Sequence, residues 1–259
     1  MKKLITLLMA LLLVGCSSGQ EIKGGDLQDI EKRGYITVAM EGTWAPWTYH
    51  DSNENLVGFD VEVGKYIADY MGLDVKYVEG EWNGLLIGVD AGRYDMLING
   101  VDVTEDRAAS YDFSKAYAYS KIAVITKKDN NSIRSLEDLR GKTTANTITS
   151  TYAKIARDEF GATVQDVDDL NETFMLLDAG RIDATLNAEV SFNDYMKQNP
   201  DADFKIACYY ENSPEVAIAM KKGSSELTAK VNEAIDAARQ DGTLSKLSLK
   251  YFGIDITNK

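Results

Sequence analysis

The stretch DAGRYDMLING at residues 90–100 returns as DAGRIDATLNA at 178–188, with six of the eleven positions identical. In each copy a glycine, Gly92 or Gly180, follows an amphipathic segment and can take the left-handed conformation that closes a helix. A short apolar run follows and ends on an asparagine, Asn99 or Asn187. Read as helix, corner and strand, each copy puts its asparagine at the carboxyl end of a strand, where open α/β sheets present groups to ligands. A chain that writes this corner twice is predicted to fold as two similar α/β lobes. Its 259 residues give each lobe enough length to bury a core.

The segments around the two corners support that division. YITVAM (35–40) reads as a strand, and Phe59, Val63, Ile67 and Tyr70 fall on one face of a helix that Gly72 closes. LDVKYV (73–78) returns as strand, and Trp82, Leu85, Leu86 and Val89 mark the helix before the first corner. IAVITKK (122–128) is a further strand. A second series starts at Ser135, whose spacing to Asp138 predicts a capped helix. Strand 143–146, helix 152–160, a strand near Thr163, a helix ending at Gly180 and a strand to Asn187 follow. EVAIAMKK (215–222) precedes two amphipathic helices, one carrying Leu227, Val231, Ile235 and Ala238, the other Leu244, Leu247 and Tyr251. Alternating strand and helix predicts mostly parallel sheets flanked by helices.

The N-terminus is a separate signal. Met1-Lys2-Lys3 is a basic start, Leu4 to Val14 is apolar but at eleven residues too short to span a bilayer, and Leu13-Val14-Gly15-Cys16 resembles a lipoprotein cleavage site. Residues 1–15 are expected to be removed, Cys16 to carry lipid, and residues 16–25 to tether the fold outside the cell membrane. Cys208 is then the only cysteine of the mature chain besides the lipidated Cys16, a packing residue rather than a reactive one. A net charge of −13 excludes nucleic acid as a partner.

Several segments together carry a family likeness: EGTWAPWTY (41–49), LVGFDVEVGKYIA (56–68), AGRYDMLINGVDVTEDR (91–107), YDFSKAY (111–117), LRGK (139–142), AGRIDA (179–184) and DGTLSKLSLKYFG (241–253). In this order and spacing the chain resembles the family 3 extracellular solute-binding proteins of amino-acid ABC transporters, with the closest likeness to cystine-binding members. The resemblance implies a two-lobed periplasmic-binding-protein-like fold (type II) with the ligand in the cleft between the lobes. Residues 26–118 and 215–259 would form lobe 1, and residues 119–214 lobe 2. It further implies a monomer without cofactor or metal that delivers an amino acid to a permease and does no chemistry.

By that resemblance Arg107 holds the ligand carboxylate, a role suited to a planar two-pronged donor. Ser150 and Thr151, at a helix start, would grip the same carboxylate from lobe 2. Trp44 and Trp82 would sandwich the ligand side chain, and Asn99 and Gly100 would line the cleft, while Trp47 is expected to be structural and His50 a surface residue. Family members place an aspartate after the second corner strand to take the ligand α-ammonium. Here that position is Ala188. Glu41, Asp102 and Glu189 are the candidate replacements, Asp102 and Glu41 being preferred, because an ammonium stripped of water needs an acceptor. Two alternatives stay open: a dehydratase-type enzyme on the same scaffold, in which a carboxyl such as Glu41 would act as an acid, and a binder of a carboxylate ligand without an amino group.

Overall fold

The computed structural model describes residues 26–258. The leader, Cys16 and the tether lie outside the described residues. Helix α1 (Leu27–Arg33) leads into β1 (Tyr35–Met40), followed by a small antiparallel sheet of β2 (Thr43–Trp44), β3 (Thr48–His50) and β4 (Leu56–Val57). Helix α2 (Phe59–Met71), β5 (Asp74–Glu79), α3 (Trp82–Asp90), β6 (Met96–Leu97), α4 (Glu105–Ser110) and β7 (Tyr111–Phe113) complete the first pass. The chain then runs through β8 (Ile122–Lys127), β9 (Thr143–Ala145), α5 (Thr151–Lys154), β10 (Thr163–Gln165), α6 (Leu170–Asp178), β11 (Thr185–Ala188), α7 (Glu189–Gln198) and β12 (Phe204–Tyr210). It returns with β13 (Ala219–Lys221), α8 (Ser225–Gln240) and α9 (Thr243–Phe252).

The two lobes repeat one topology. The first sheet has the order β5-β1-β6-β13-β7. In the second, β10 pairs with β9, β9 touches the approach to β11 through a parallel bridge between Thr144 and Ala184, and β11-β8-β12 follows. The strands joined by helical crossovers, β5-β1-β6 and β10-β9, run parallel, whereas β13, β7, β8 and β12 pair antiparallel with their neighbours. Strand β8 is buried on both faces: Ala123 and Ile125 pack with Phe174, Ile122 and Val124 with Ile155. In β1, Ile36, Val38 and Met40 face the largest core cluster, and Ala39 packs on the other side with Leu85 and Leu97.

The repeated corner is the same structural device twice. Gly92 and Gly180 have φ of 70° and 65°. Gly92 N donates to Val89 O at 2.9 Å and Arg93 N to Gly88 O at 2.8 Å; Gly180 N donates to Leu177 O at 3.1 Å and Arg181 N to Leu176 O at 2.9 Å. Both are Schellman closures, which satisfy the last helical carbonyls and turn the chain into the sheet. The repeated aspartate also has a matched role. Asp95 Oδ2 accepts from Thr37 N at 2.7 Å in β1, and Asp183 Oδ2 accepts from Thr143 N at 2.8 Å in β9. Each corner thus pins its strand, β6 or β11, beside the parallel neighbour whose end borders the cleft.

Three local expectations are corrected. The capped helix after Ser135 is one 3₁₀ turn, Glu137–Leu139, because Asp138 Oδ2 accepts from Arg134 N at 2.8 Å and Ser135 N at 3.0 Å, and Gly141, at φ 72°, then redirects the chain. The helix over 152–160 starts as α5 and continues as a π-helical segment, Ile155–Glu159. Tyr70 is exposed, while Phe59, Val63 and Ile67 face the core.

Candidate functional site

The carboxyl ends of four central strands converge. Glu41 follows β1, Asn99 and Gly100 follow β6, Asn146 follows β9, and Asn187 lies at the end of β11. Between them is a cleft enclosing about 600 Å³, part of it open to solvent. Trp44, Trp82, Asp102, Arg107, Ser150 and Thr151 also line it. Of the ten residues expected at the ligand, the structure therefore brings nine together. Glu189 is the exception. It begins α7 immediately past β11, and the helical turn directs its carboxylate away, where it accepts from Tyr209 Oη at 2.6 Å.

Glu41 and Asn99 form a reciprocal pair. Glu41 N donates to Asn99 Oδ1 at 2.8 Å, and Asn99 Nδ2 donates to Glu41 Oε2 at 2.6 Å. Burial pushes the Glu41 carboxyl up to about 7; the bond from Asn99 opposes this, and the charge of Asp169 adds to it. Gly100, at φ 54°, sends its N–H to Asp60 Oδ2 at 2.6 Å, and Tyr117 Oη donates to Asp60 Oδ1 at 2.8 Å. This buried carboxyl lies beneath the cleft and fixes its floor.

Arg107 stands over the Trp82 ring, 5.2 Å from its centroid. Nη1 donates to the carbonyl of Asp102 at 3.0 Å, and Nη2 to the carbonyl of Thr149 at 3.5 Å. No carboxylate ion-pairs with it among the described residues. Burial lowers its pKa and the charge of Asp102 opposes that. Burial likewise pushes Asp102 up to about 6, with Arg107 and then the nearby Thr151 hydroxyl pulling it back. Trp82 Nε1, Asn146 Oδ1 and Thr151 Oγ1 are buried at the cleft without a well-formed hydrogen bond. Such groups carry a desolvation cost that a polar ligand can relieve.

The lobes touch across the cleft. Trp44 Nε1 donates to Asn187 Oδ1 at 3.3 Å, Trp47 Nε1 to Ser191 Oγ at 3.1 Å, and Thr149 Oγ1 to Asn83 Oδ1 at 2.7 Å. Lys154 pairs with Asp106 at the rim. Trp47 is fully buried and stacks on Trp44, and His50 is an exposed residue paired with Glu79 at 3.4 Å.

Residues 36–254 match the model of the bacterial extracellular solute-binding proteins, family 3. The chain belongs to this family. It is 38% identical over 253 residues to the L-cystine-binding protein TcyA of Bacillus subtilis, covering 95% of this chain and 94% of that protein. An ancestral arginine-binding protein bound to arginine superposes with a TM-score of 0.80 at 36% identity, over 85% of this chain and 99% of that one. The L-cystine solute receptor of Neisseria gonorrhoeae, in its unliganded open conformation, gives 0.61 at 37% identity, over 90% and 98%. At nearly equal identity this chain superposes better on the liganded protein than on the open one, in line with its contacts across the cleft.

The expectations passed over Asn146, Thr147, Tyr152, Asp169, Leu170 and Thr173, all of which line the cleft. Asp169 had a visible signal. It caps α6 through a bond from Glu172 N at 2.9 Å, and the Asp169…Glu172 spacing is a helix-start pattern. That pattern gives no sign that the cap faces a ligand.

Proposed function

We propose that this protein captures a polar amino acid, with L-cystine as the first candidate, by closing two lobes over it, and delivers it to an ABC permease. Residues 26–118 with 215–259 form one lobe in this reading and residues 119–214 the other. The protein acts as a monomer held outside the cell membrane by lipid on Cys16. The observation that carries the reading is Arg107, a partly buried guanidinium in the cleft whose hydrogen bonds go to carbonyls and to no carboxylate. A ligand carboxylate is the complement such a group lacks. Ser150 and Thr151 approach the same end from the other lobe. Asp102, beside Arg107, takes the α-ammonium in place of the acid absent at Ala188. Trp44 and Trp82 flank the side chain. The TcyA relative and the gonococcal receptor, both cystine binders by name, favour cystine among the amino acids.

Isothermal titration of the purified protein against L-cystine and a panel of amino acids tests this. Arg107→Ala is expected to lose at least 100-fold in affinity, about 3 kcal/mol, while staying folded, and Arg107→Lys to recover little of it. A folded Arg107→Ala variant binding within threefold of wild type would remove the carboxylate role.

A further inference from the structure

Two stacked tryptophans reach from the first lobe to the second. The rings of Trp44 and Trp47 have centroids 5.3 Å apart, and their acceptors, Asn187 and Ser191, stand at the end of β11 and in the first turn of α7. The two contacts differ in their surroundings. Trp44 and Asn187 line the cleft, whereas Trp47 and Ser191 do not. Trp47 is fully buried, Ser191 is 1% exposed, and the bond from Nε1 to Oγ is 3.1 Å. The first lobe holds the indole from several sides. Phe59 meets its ring edge-on at 5.8 Å, Phe252 packs on it at 4.8 Å, Trp47 N donates to Trp44 O at 3.0 Å, and Trp47 O accepts from Asp60 N at 3.0 Å. Ala188 and Val190, on either side of the step into α7, belong to the same apolar cluster as Trp47.

We infer that Trp47 and Ser191 form a latch between the lobes that sets how tightly the protein holds any ligand without touching one. The inference rests on the lobe-closing reading above and places a determinant of affinity outside the cleft. The indole is held by its own lobe and Ser191 by its own helix, so neither can follow the other when the lobes part. Opening exchanges their bond for bonds to water, worth a factor of roughly 2 to 12 in an equilibrium, and takes Ala188 and Val190 out of the shared apolar cluster. A ligand that binds the closed form gains the closed population that the latch supplies. The gain is the same for every ligand, because the latch is part of none of their contacts. It acts on release rather than capture, since a ligand enters the open cleft before the latch forms.

Ser191→Ala removes the acceptor and leaves the lining of the cleft intact. Titration calorimetry and stopped-flow kinetics measure its effect on L-cystine and on every other amino acid that the wild type binds. Affinity is expected to fall about three- to tenfold, by the same factor within about twofold for each ligand, with the change in the dissociation rate and the association rate kept. In a Trp47→Phe background, where the N–H is already gone, Ser191→Ala should cost less than about twofold more. Unchanged affinity in Ser191→Ala, a loss confined to one ligand among several, or a loss undiminished in Trp47→Phe overturns the latch and leaves the amino-acid reading standing. A wild-type protein that binds no amino acid removes that reading and the latch together.

Discussion

Replacing Gly100 by alanine strikes the floor of the cleft at a point where two costs can be worked from geometry. The residue sits at φ 54°, and a Cβ there would lie 2.5 Å from Trp44 Cζ3, 2.9 Å from Trp44 Cη2 and 3.5 Å from Trp47 Cδ2. A left-handed backbone costs an L-residue about 1–2 kcal/mol, and forcing a methyl into a packed site costs about 1–3 kcal/mol. Trp47 is fully buried and its indole is tied to Ser191 across the cleft, so it has no space to retreat. Trp44 must give way, and it lines the cleft. Gly100→Ala is therefore expected to lower the unfolding free energy by about 2–5 kcal/mol in urea at unchanged m-value, and to weaken ligand binding at least tenfold by titration calorimetry. The Gly100 N–H bond to Asp60 survives the change, so neither effect is a lost hydrogen bond. A variant within about 0.5 kcal/mol of wild type that binds normally would refute the close packing of this floor.

Asp102→Asn keeps shape and removes charge; it should weaken binding by about 1.5–3 kcal/mol, with Ala188→Asp restoring part of the loss in the double variant. Because Asp102 titrates near pH 6 without ligand and an ammonium would hold it ionised, binding at pH 6 should release protons, seen as a calorimetric enthalpy that changes with the ionisation enthalpy of the buffer. Burial pushes Asp60 up to about 7, so between its unfolded value near 3.8 and about 7 the folded state holds a proton that the unfolded chain has lost. Stability should accordingly fall as pH rises from 5 to 7, and Asp60→Asn should flatten that slope in chemical denaturation.

The fold was legible where chemistry repeats at a fixed spacing. The two corners predict two lobes because glycine, aspartate and asparagine each do the same job twice: closing a helix, pinning the neighbouring parallel strand, and ending at the cleft. The lining of the cleft was legible where a residue follows closely on a strand end, as with Glu41, Asn99 and Gly100, or sits in the family motif, as with Arg107. Glu189 was misplaced because one step past β11 the chain becomes helix, and direction changes with it. Asp169 was missed because a capping aspartate satisfies a local rule completely. Its place at the cleft shows only once the lobes face each other, and that is a tertiary fact. The antiparallel direction of β8 escaped notice for a related reason, since a strand buried on both faces carries no alternation that reports direction.

Closure of the two lobes on an amino acid is tested most directly by small-angle scattering on the protein with and without saturating L-cystine. The ligand-bound protein should show a smaller radius of gyration than the free one, and Arg107→Ala should show no change on addition of the same ligand. An unchanged radius of gyration for wild type at saturation would contradict the account.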